Sequence, residues 1–171
     1  MRTGTRCDGV GPRTGIGAAD RTVAGMSETL RQARFAELTT TELYALIKLR
    51  VDVFVVEQTC PYPELDGRDT EADTVHVWYE RDGRPVAYLR VLTGPDGSAR
   101  IGRVCTAADA RGGGLAGQLL AEALAVVGDR PCELEAQSYL VDFYARYGFR
   151  AAGPEYVEDG IPHTPMRLAV S

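Results

Sequence analysis

Hydrophobic positions become regular from Leu38 onward, and their period changes along the chain. Leu43, Leu46 and Ile47 form one stripe at helical spacing, continued by Val51 and Phe54. They predict a helix through residue 50, capped by Thr40 or Thr41. Cys60-Pro61-Tyr62-Pro63 stops any helix, because proline lacks the amide donor. The acidic stretch 64–73, with one glycine, reads as an exposed loop. Three β-prone segments follow, at 74–80, 85–92 and 98–106, separated by Asp82-Gly83 and by Gly94-Pro95-Asp96-Gly97. Connections this short join antiparallel neighbours. Helical spacing returns with Leu115, Leu119, Leu120, Leu124 and Val127, bounded by glycines on both sides. A strand at 132–137 precedes a second amphipathic helix carrying Leu140, Phe143, Tyr144 and Tyr147, ended by Gly148. A short strand over 166–169 closes the pattern. The order describes one α+β (mixed α/β) domain.

Residues 1–25 hold six glycines and four arginines but no apolar run. Such a segment cannot bury enough apolar surface to offset its ordering entropy, so it is expected to be a disordered extension. It also lacks the apolar core of a secretory signal. Met26-Ser27-Glu28 offers an alternative start of translation, which leaves 26–171 as the expected domain.

Composition narrows the function classes. The net charge of −5 argues against a nucleic-acid partner, which needs a basic face. No apolar run approaches the roughly 20 residues of a membrane span. Cys7, Cys60, Cys105 and Cys132 are scattered and only His76 and His163 accompany them, so no metal site is expected. Reduced thiols in a cytoplasmic protein are the expectation.

The candidate chemistry begins at Arg111-Gly112-Gly113-Gly114-Leu115-Ala116-Gly117, between a strand and the start of a strong helix. Glycines let successive amides turn inward and the helix dipole adds positive charge, which suits a phosphate. An ordinary glycine turn remains the plain alternative. Gly112-x-Gly114-x-x-Gly117 also matches the dinucleotide fingerprint, yet Ala107 to Ala110 separate it from the strand and three antiparallel strands precede it. No Gly-Lys-Ser/Thr follows, which excludes a Walker A loop.

Arg111-x-x-Gly114-x-Ala116 resembles the pyrophosphate signature of the GNAT superfamily of acyl-CoA N-acetyltransferases. Tyr144-Ala145-Arg146-Tyr147-Gly148-Phe149 resembles that superfamily's Tyr-x-x-x-Gly-Phe segment. Leu49-Arg50-x-x-Val53-Phe54-Val55-Val56-Glu57-Gln58-x-Cys60-Pro61-Tyr62, Asp66-Gly67-x-Asp69, Ile101-Gly102-Arg103-Val104 and Glu158-Asp159-Gly160-Ile161-Pro162-His163 are similar to the ElaA-like subfamily. The likeness spans about Leu38 to Leu168.

This resemblance implies a GNAT fold, with a central, mostly antiparallel sheet splayed between two strands (here 98–106 and 132–137) and flanked by helices. It implies acetyl-CoA as acyl donor and direct attack by a primary amine in a ternary complex. Pyrophosphate would lie on Arg111, Gly112, Gly113, Gly114, Leu115, Ala116 and Gly117. Pantetheine would pair with backbone freed by the splay at Val104, Cys105 and Thr106, with an amide near Val104 or Cys105 as oxyanion donor. Tyr144 would protonate or hydrogen-bond the departing sulfur and so touch the donor; its alternative is a core aromatic.

An amine of pKa about 10 is protonated near neutral pH, so a base or water relay is needed. Glu57, His163 and Glu135 are candidates, each equally open to a solvated or structural role. Cys105 raises a covalent acyl-cysteine route, although no partner histidine is assignable. Arg50, Asp66 and Asp69 are candidates for shaping the acceptor pocket, with solvated loop carboxylates as the commoner fate of such aspartates. Glu64-x-Asp66-x-x-Asp69 after Arg50 and Phe54 also resembles acyl-homoserine lactone synthases. A non-catalytic acyl-CoA-binding sensor stays open. The acceptor, a small molecule or a protein amine, is not legible, and relatives of this fold often pair as homodimers.

Overall fold

The computed structural model describes residues 20–23 and 26–168. The expected extension over 1–25 lies outside the described residues up to position 19. Its boundary is corrected by strand β1 (Asp20–Val23), which pairs antiparallel with β2 (Met26–Arg34). β2 was not expected either, since Met-Ser-Glu-Thr-Leu-Arg-Gln-Ala-Arg barely alternates. Its backbone pairs with β3 from Glu28↔Arg81 to Arg34↔Val75, and Leu30 is buried. Backbone pairing rather than an apolar face defines this strand.

Helix α1 (Thr40–Arg50) starts one residue before the expected caps, on Thr39. Thr39 Oγ1 accepts from the Glu42 amide at 3.2 Å, and the Glu42 carboxylate accepts from the Thr39 amide at 2.8 Å. This reciprocal capping box fixes where the helix begins. The helix does not stop at Arg50 but widens into a π-helical segment, Val51–Glu57. Such segments are rare and cluster at functional sites.

β3 (Val75–Arg81), β4 (Arg84–Thr93) and β5 (Ala99–Thr106) form the expected antiparallel run. Pro85 to Leu92 of β4 are all buried, since α1 and α2 (Leu115–Val127) both pack on this strand. Successive strand side chains point to opposite faces, so helices must cover both. β6 (Cys132–Gln137) follows, then a 3-10 turn, Ser138–Leu140, and the short helix α3 (Val141–Ala145). β7 (Arg150–Ala151), β8 (Tyr156–Glu158) and β9 (Ile161–Leu168) complete the sheet, in the order β1-β2-β3-β4-β5-β6-β9-β7 with β8 beside β9. β9 is longer than the expected 166–169, whose last residue lies outside the described residues.

The splay is present. β5 and β6 run parallel and pair at Ala99↔Cys132 and Arg100↔Glu133. Beyond these pairs β5 stays with β4 to Thr106 while β6 stays with β9 to Gln137, so a wedge opens between them. The register of β4 against β5 shifts between Tyr88 and Arg90, opposite Arg103, whose φ is 57°. This bulge bends β5 where the wedge begins. The fold is the mixed α/β, splayed-sheet architecture expected.

Candidate active site

A cavity of about 540 Å³ lies at the mouth of the wedge. Its floor is the glycine loop: Arg111, Gly112, Gly114, Leu115, Ala116 and Gly117 line it, with Thr106 and Ala110 from the end of β5 and the turn after it, and Phe143, Arg146 and Tyr147 from α3 and its C-terminal end. Gly114, at φ 79°, turns the chain into α2, and no side chain caps that helix. The leading amides of α2 therefore lack intrahelical acceptors. With Arg111 and Arg146 they give the cavity a positive wall suited to a pyrophosphate. A methyl group at Gly112, Gly113 or Gly114 would meet no atom within 4 Å, so the loop stays clear for a ligand. Gly117 differs: a Cβ there would sit 2.3 Å from Tyr147 Oη, so its absence lets Tyr147 close against the first turn of α2.

Arg111 reaches across the opening. Its Nε donates to the Thr106 carbonyl at 3.0 Å, and its two terminal nitrogens donate to both Glu57 oxygens at 2.8 and 2.9 Å. The bidentate bond from Arg111 holds the Glu57 carboxyl below its usual range. Glu57 thus closes the π-helical segment onto the glycine loop, and in this arrangement its carboxylate is paired rather than free to take a proton.

Tyr144 is buried behind Phe143, edge to face at 5.0 Å, and against Phe149 at 6.2 Å. Burial pushes its phenol up to about 12, so it is protonated at neutral pH. Cys105 points away from the cavity into the core, and burial pushes its thiol up to about 12. The covalent acyl-cysteine route is corrected on this ground: the nucleophile would have to be a thiolate, which burial disfavours. Val104, Cys105 and Gly113 are not among the residues that line the cavity; of β5, Thr106 lines it.

On the face of β6 and β9 that carries Glu133, Glu135 and Gln137, uncharged polar groups meet. Tyr139 Oη donates to Gln137 Oε1 at 2.8 Å, and Gln137 Nε2 reaches Gln58 Oε1 at 3.4 Å. His163 pairs with Gln137 in the ladder and stacks on Tyr156 at 5.9 Å. Its Nδ1 lies 2.8 Å from the Ile161 carbonyl, which can only accept, so Nδ1 carries a hydrogen. Glu135 accepts from Arg100 and Tyr156, both at 2.9 Å, and is not free.

Arg50, Asp66 and Asp69, expected beside the acceptor, are instead joined in a largely buried ionic network. Arg50 is 1% exposed and binds Glu64 at 2.5 Å and Asp69 at 2.8 Å, with its guanidinium over the Tyr88 ring. Arg90 joins Asp69 at 2.8 Å and also pairs with Asp66. His76 donates from Nε2 to the Asp69 carbonyl at 3.1 Å and accepts from Tyr88 Oη at 2.7 Å. Arg50 and Asp69 are therefore withheld from any ligand, and only the Asp66 side chain reaches partway to solvent.

Sequence reading missed Arg146 and Tyr147 as lining residues, although both lie inside the quoted Tyr144–Phe149 segment. It also gave no role to Gln58, quoted only within the Leu49–Tyr62 segment, or to Gln137 and Tyr139; the fold brings the three together.

Known proteins share this sequence pattern and fold. A family model described as an acetyltransferase (GNAT) domain matches residues 22–170. The UPF0039 protein Rv2851c of Mycobacterium tuberculosis is 52% identical over 145 residues, covering 82% of this chain and 93% of that protein. The crystal structure of an acyl-CoA N-acyltransferase from Pseudomonas aeruginosa superposes with a TM-score of 0.79 at 47% identity, covering 82% of this chain and 98% of that one. The crystal structure of Escherichia coli ElaA superposes at 0.78 and 37% identity, covering 81% and 97%. The acyl-homoserine lactone synthase LasI shares only the fold, at 16% identity and a TM-score of 0.67.

Proposed function

We propose, from the premise that this chain belongs to the GNAT acetyltransferase family and to its ElaA-like branch, that it transfers an acetyl group from acetyl-CoA to a primary amine. The observation that carries this reading is the meeting of the glycine-loop cavity with the wedge between β5 and β6. Arg111, Arg146 and the amides from Gly112 to Gly117 would hold the pyrophosphate. Backbone at Val104, Cys105 and Thr106 would pair with the pantetheine arm, which brings the thioester to the bulge. The donor supplies an activated acyl group; the protein's own residues orient it and manage protons.

An amide of the Val104–Cys105 segment is the oxyanion donor in this reading. Tyr144 acts on the leaving sulfur as a hydrogen-bond donor. A phenol near 12 loses its proton less readily than a thiol of about 8.5, so it steadies the thiolate rather than surrendering the proton outright. His163 Nε2, oriented by the Ile161 carbonyl, is the better-presented base, directly or through a water. Glu57 qualifies only once Arg111 has let it go. Acceptors are small-molecule or protein amines.

Thiol release from acetyl-CoA across a panel of primary amines tests this. Tyr144→Phe and His163→Gln should each lower kcat with donor affinity near that of the parent. A parent that binds acetyl-CoA but releases no thiol with any amine would favour the sensor reading instead.

A further inference from the structure

Arg103 combines three features that the reaction as described does not use. It has a left-handed backbone, φ 57°, at a non-glycine position inside a strand. It sits at the bulge where β5 parts from β6, one residue before the segment assigned to the thioester. And its guanidinium is held on the opposite side by the acidic loop. Nε lies 2.7 Å from Glu64 Oε2, close in charge but off line for a hydrogen bond; the terminal Nη2 donates to the Glu64 carbonyl at 3.2 Å and to Asp66 at 3.4 Å; the plane lies over the Tyr62 ring at 5.5 Å.

The anchor is itself rigid. Tyr62 Oη donates to Glu64 Oε2 at 2.5 Å, Glu64 binds buried Arg50 at 2.5 Å, and Asp66 is held by Arg90. Arg50 belongs to α1 and Arg90 to β4, so the loop is tied to two core elements. A left-handed backbone is costly for a non-glycine residue and persists only where surroundings over-determine it. Here the surroundings are the side chain's own partners.

We propose that Arg103 is a positioning residue: strapped to the Tyr62–Asp66 loop, it holds the β5 bulge so that the Val104–Cys105 backbone faces the pantetheine and thioester. This gives the buried network of Arg50, Glu64, Asp66, Asp69 and Arg90 a functional output. It acts on the thioester end of the donor site and leaves the pyrophosphate loop alone. The inference rests on the donor-site reading given above.

The test compares CoA with ADP, which carries the pyrophosphate but no pantetheine, by calorimetry on the full chain. Arg103→Gly suits the left-handed backbone and removes only the strap. It should fold, shown by an unchanged circular dichroism spectrum and a cooperative melt. It should bind ADP within about twofold of the parent yet lose about tenfold in CoA affinity, the scale of a charge-assisted bond. Arg103→Lys, which restores charge without the fork, should recover part of that loss. A glycine variant that keeps the parent's CoA-to-ADP ratio overturns the proposal, because the backbone alone then sets the bulge. Equal loss of ADP and CoA also overturns it, placing Arg103 in the general fold. A parent that binds neither probe fails the donor-site reading itself, a separate outcome.

Discussion

Replacing Gly117 by alanine puts a methyl group 2.3 Å from Tyr147 Oη, well inside contact distance, while Tyr147 Cζ lies 3.6 Å away at an ordinary separation. The collision is therefore with the hydroxyl alone. Tyr147 is packed against Phe143, with ring centroids 5.5 Å apart, so moving its hydroxyl disturbs that contact. Overpacking of this kind costs about 1–3 kcal/mol. Alanine in place of glycine returns up to about 1 kcal/mol of helix propensity, less in a first turn. The net expectation for Gly117→Ala is a loss of about 1 kcal/mol, or about 2–4 °C in Tm for a chain of this size. Tyr147→Phe removes the offending oxygen, so the double variant should be at least as stable as Tyr147→Phe alone. Urea or thermal unfolding of the four proteins closes the cycle, with a coupling of about 1 kcal/mol. Because Tyr147 also lines the cavity, acetyl-CoA affinity should fall in Gly117→Ala and recover in the double variant. A Gly117→Ala protein as stable as the parent, with no coupling to Tyr147→Phe, would refute the close approach.

Three further outcomes follow from the same contacts. Glu57→Gln frees Arg111 from its bidentate partner, so CoA should bind more tightly to the variant; calorimetry showing weaker binding would make the pair a permanent wall of the site. Cys105 should resist iodoacetamide at pH 8 in the folded protein and react on unfolding, since burial holds the thiol near 12; rapid labelling of the native state would contradict its placement. Asp66 is held below its usual range, first by its bond from Arg90, and Asp69 is held low by Arg50 and Arg90 against the opposing effect of burial. Both folded-state values lie under the unfolded ones, so their contribution is full above about pH 4 and is lost as pH falls through the folded values. Asp69→Asn should cost about 3 kcal/mol at pH 7, and urea midpoints of variant and parent should converge in acid; a constant gap would show that the carboxylate's charge is not what matters.

How much of this was legible in sequence depended on the kind of signal. The glycine run with Arg111, the α2 stripe and the β-prone segments of β3 to β5 are local patterns, so element types and the glycine turn before α2 could be read directly. β2 could not, because its stabilisation is backbone pairing with β3 and its side chains scarcely alternate. The extension of α1 into a π segment has no periodic mark, and it is this segment that brings Glu57 to Arg111. Arg50, Asp66 and Asp69 were expected beside the acceptor, but their residue types alone do not separate a ligand site from a buried network. Only burial and pairing do. Arg103 was quoted within a motif without a role, because a positive φ at an arginine cannot be foreseen from the chain.

The central claim is that the glycine-loop cavity holds the acyl donor. Acetyl-CoA calorimetry on the full chain beside an Ala116→Glu variant tests it most directly, since Ala116 lines that cavity and the new carboxylate would face the pyrophosphate. Saturable binding to the parent that disappears in a variant with an unchanged melt is the predicted result. Equal binding by both proteins would place the donor elsewhere and contradict the account.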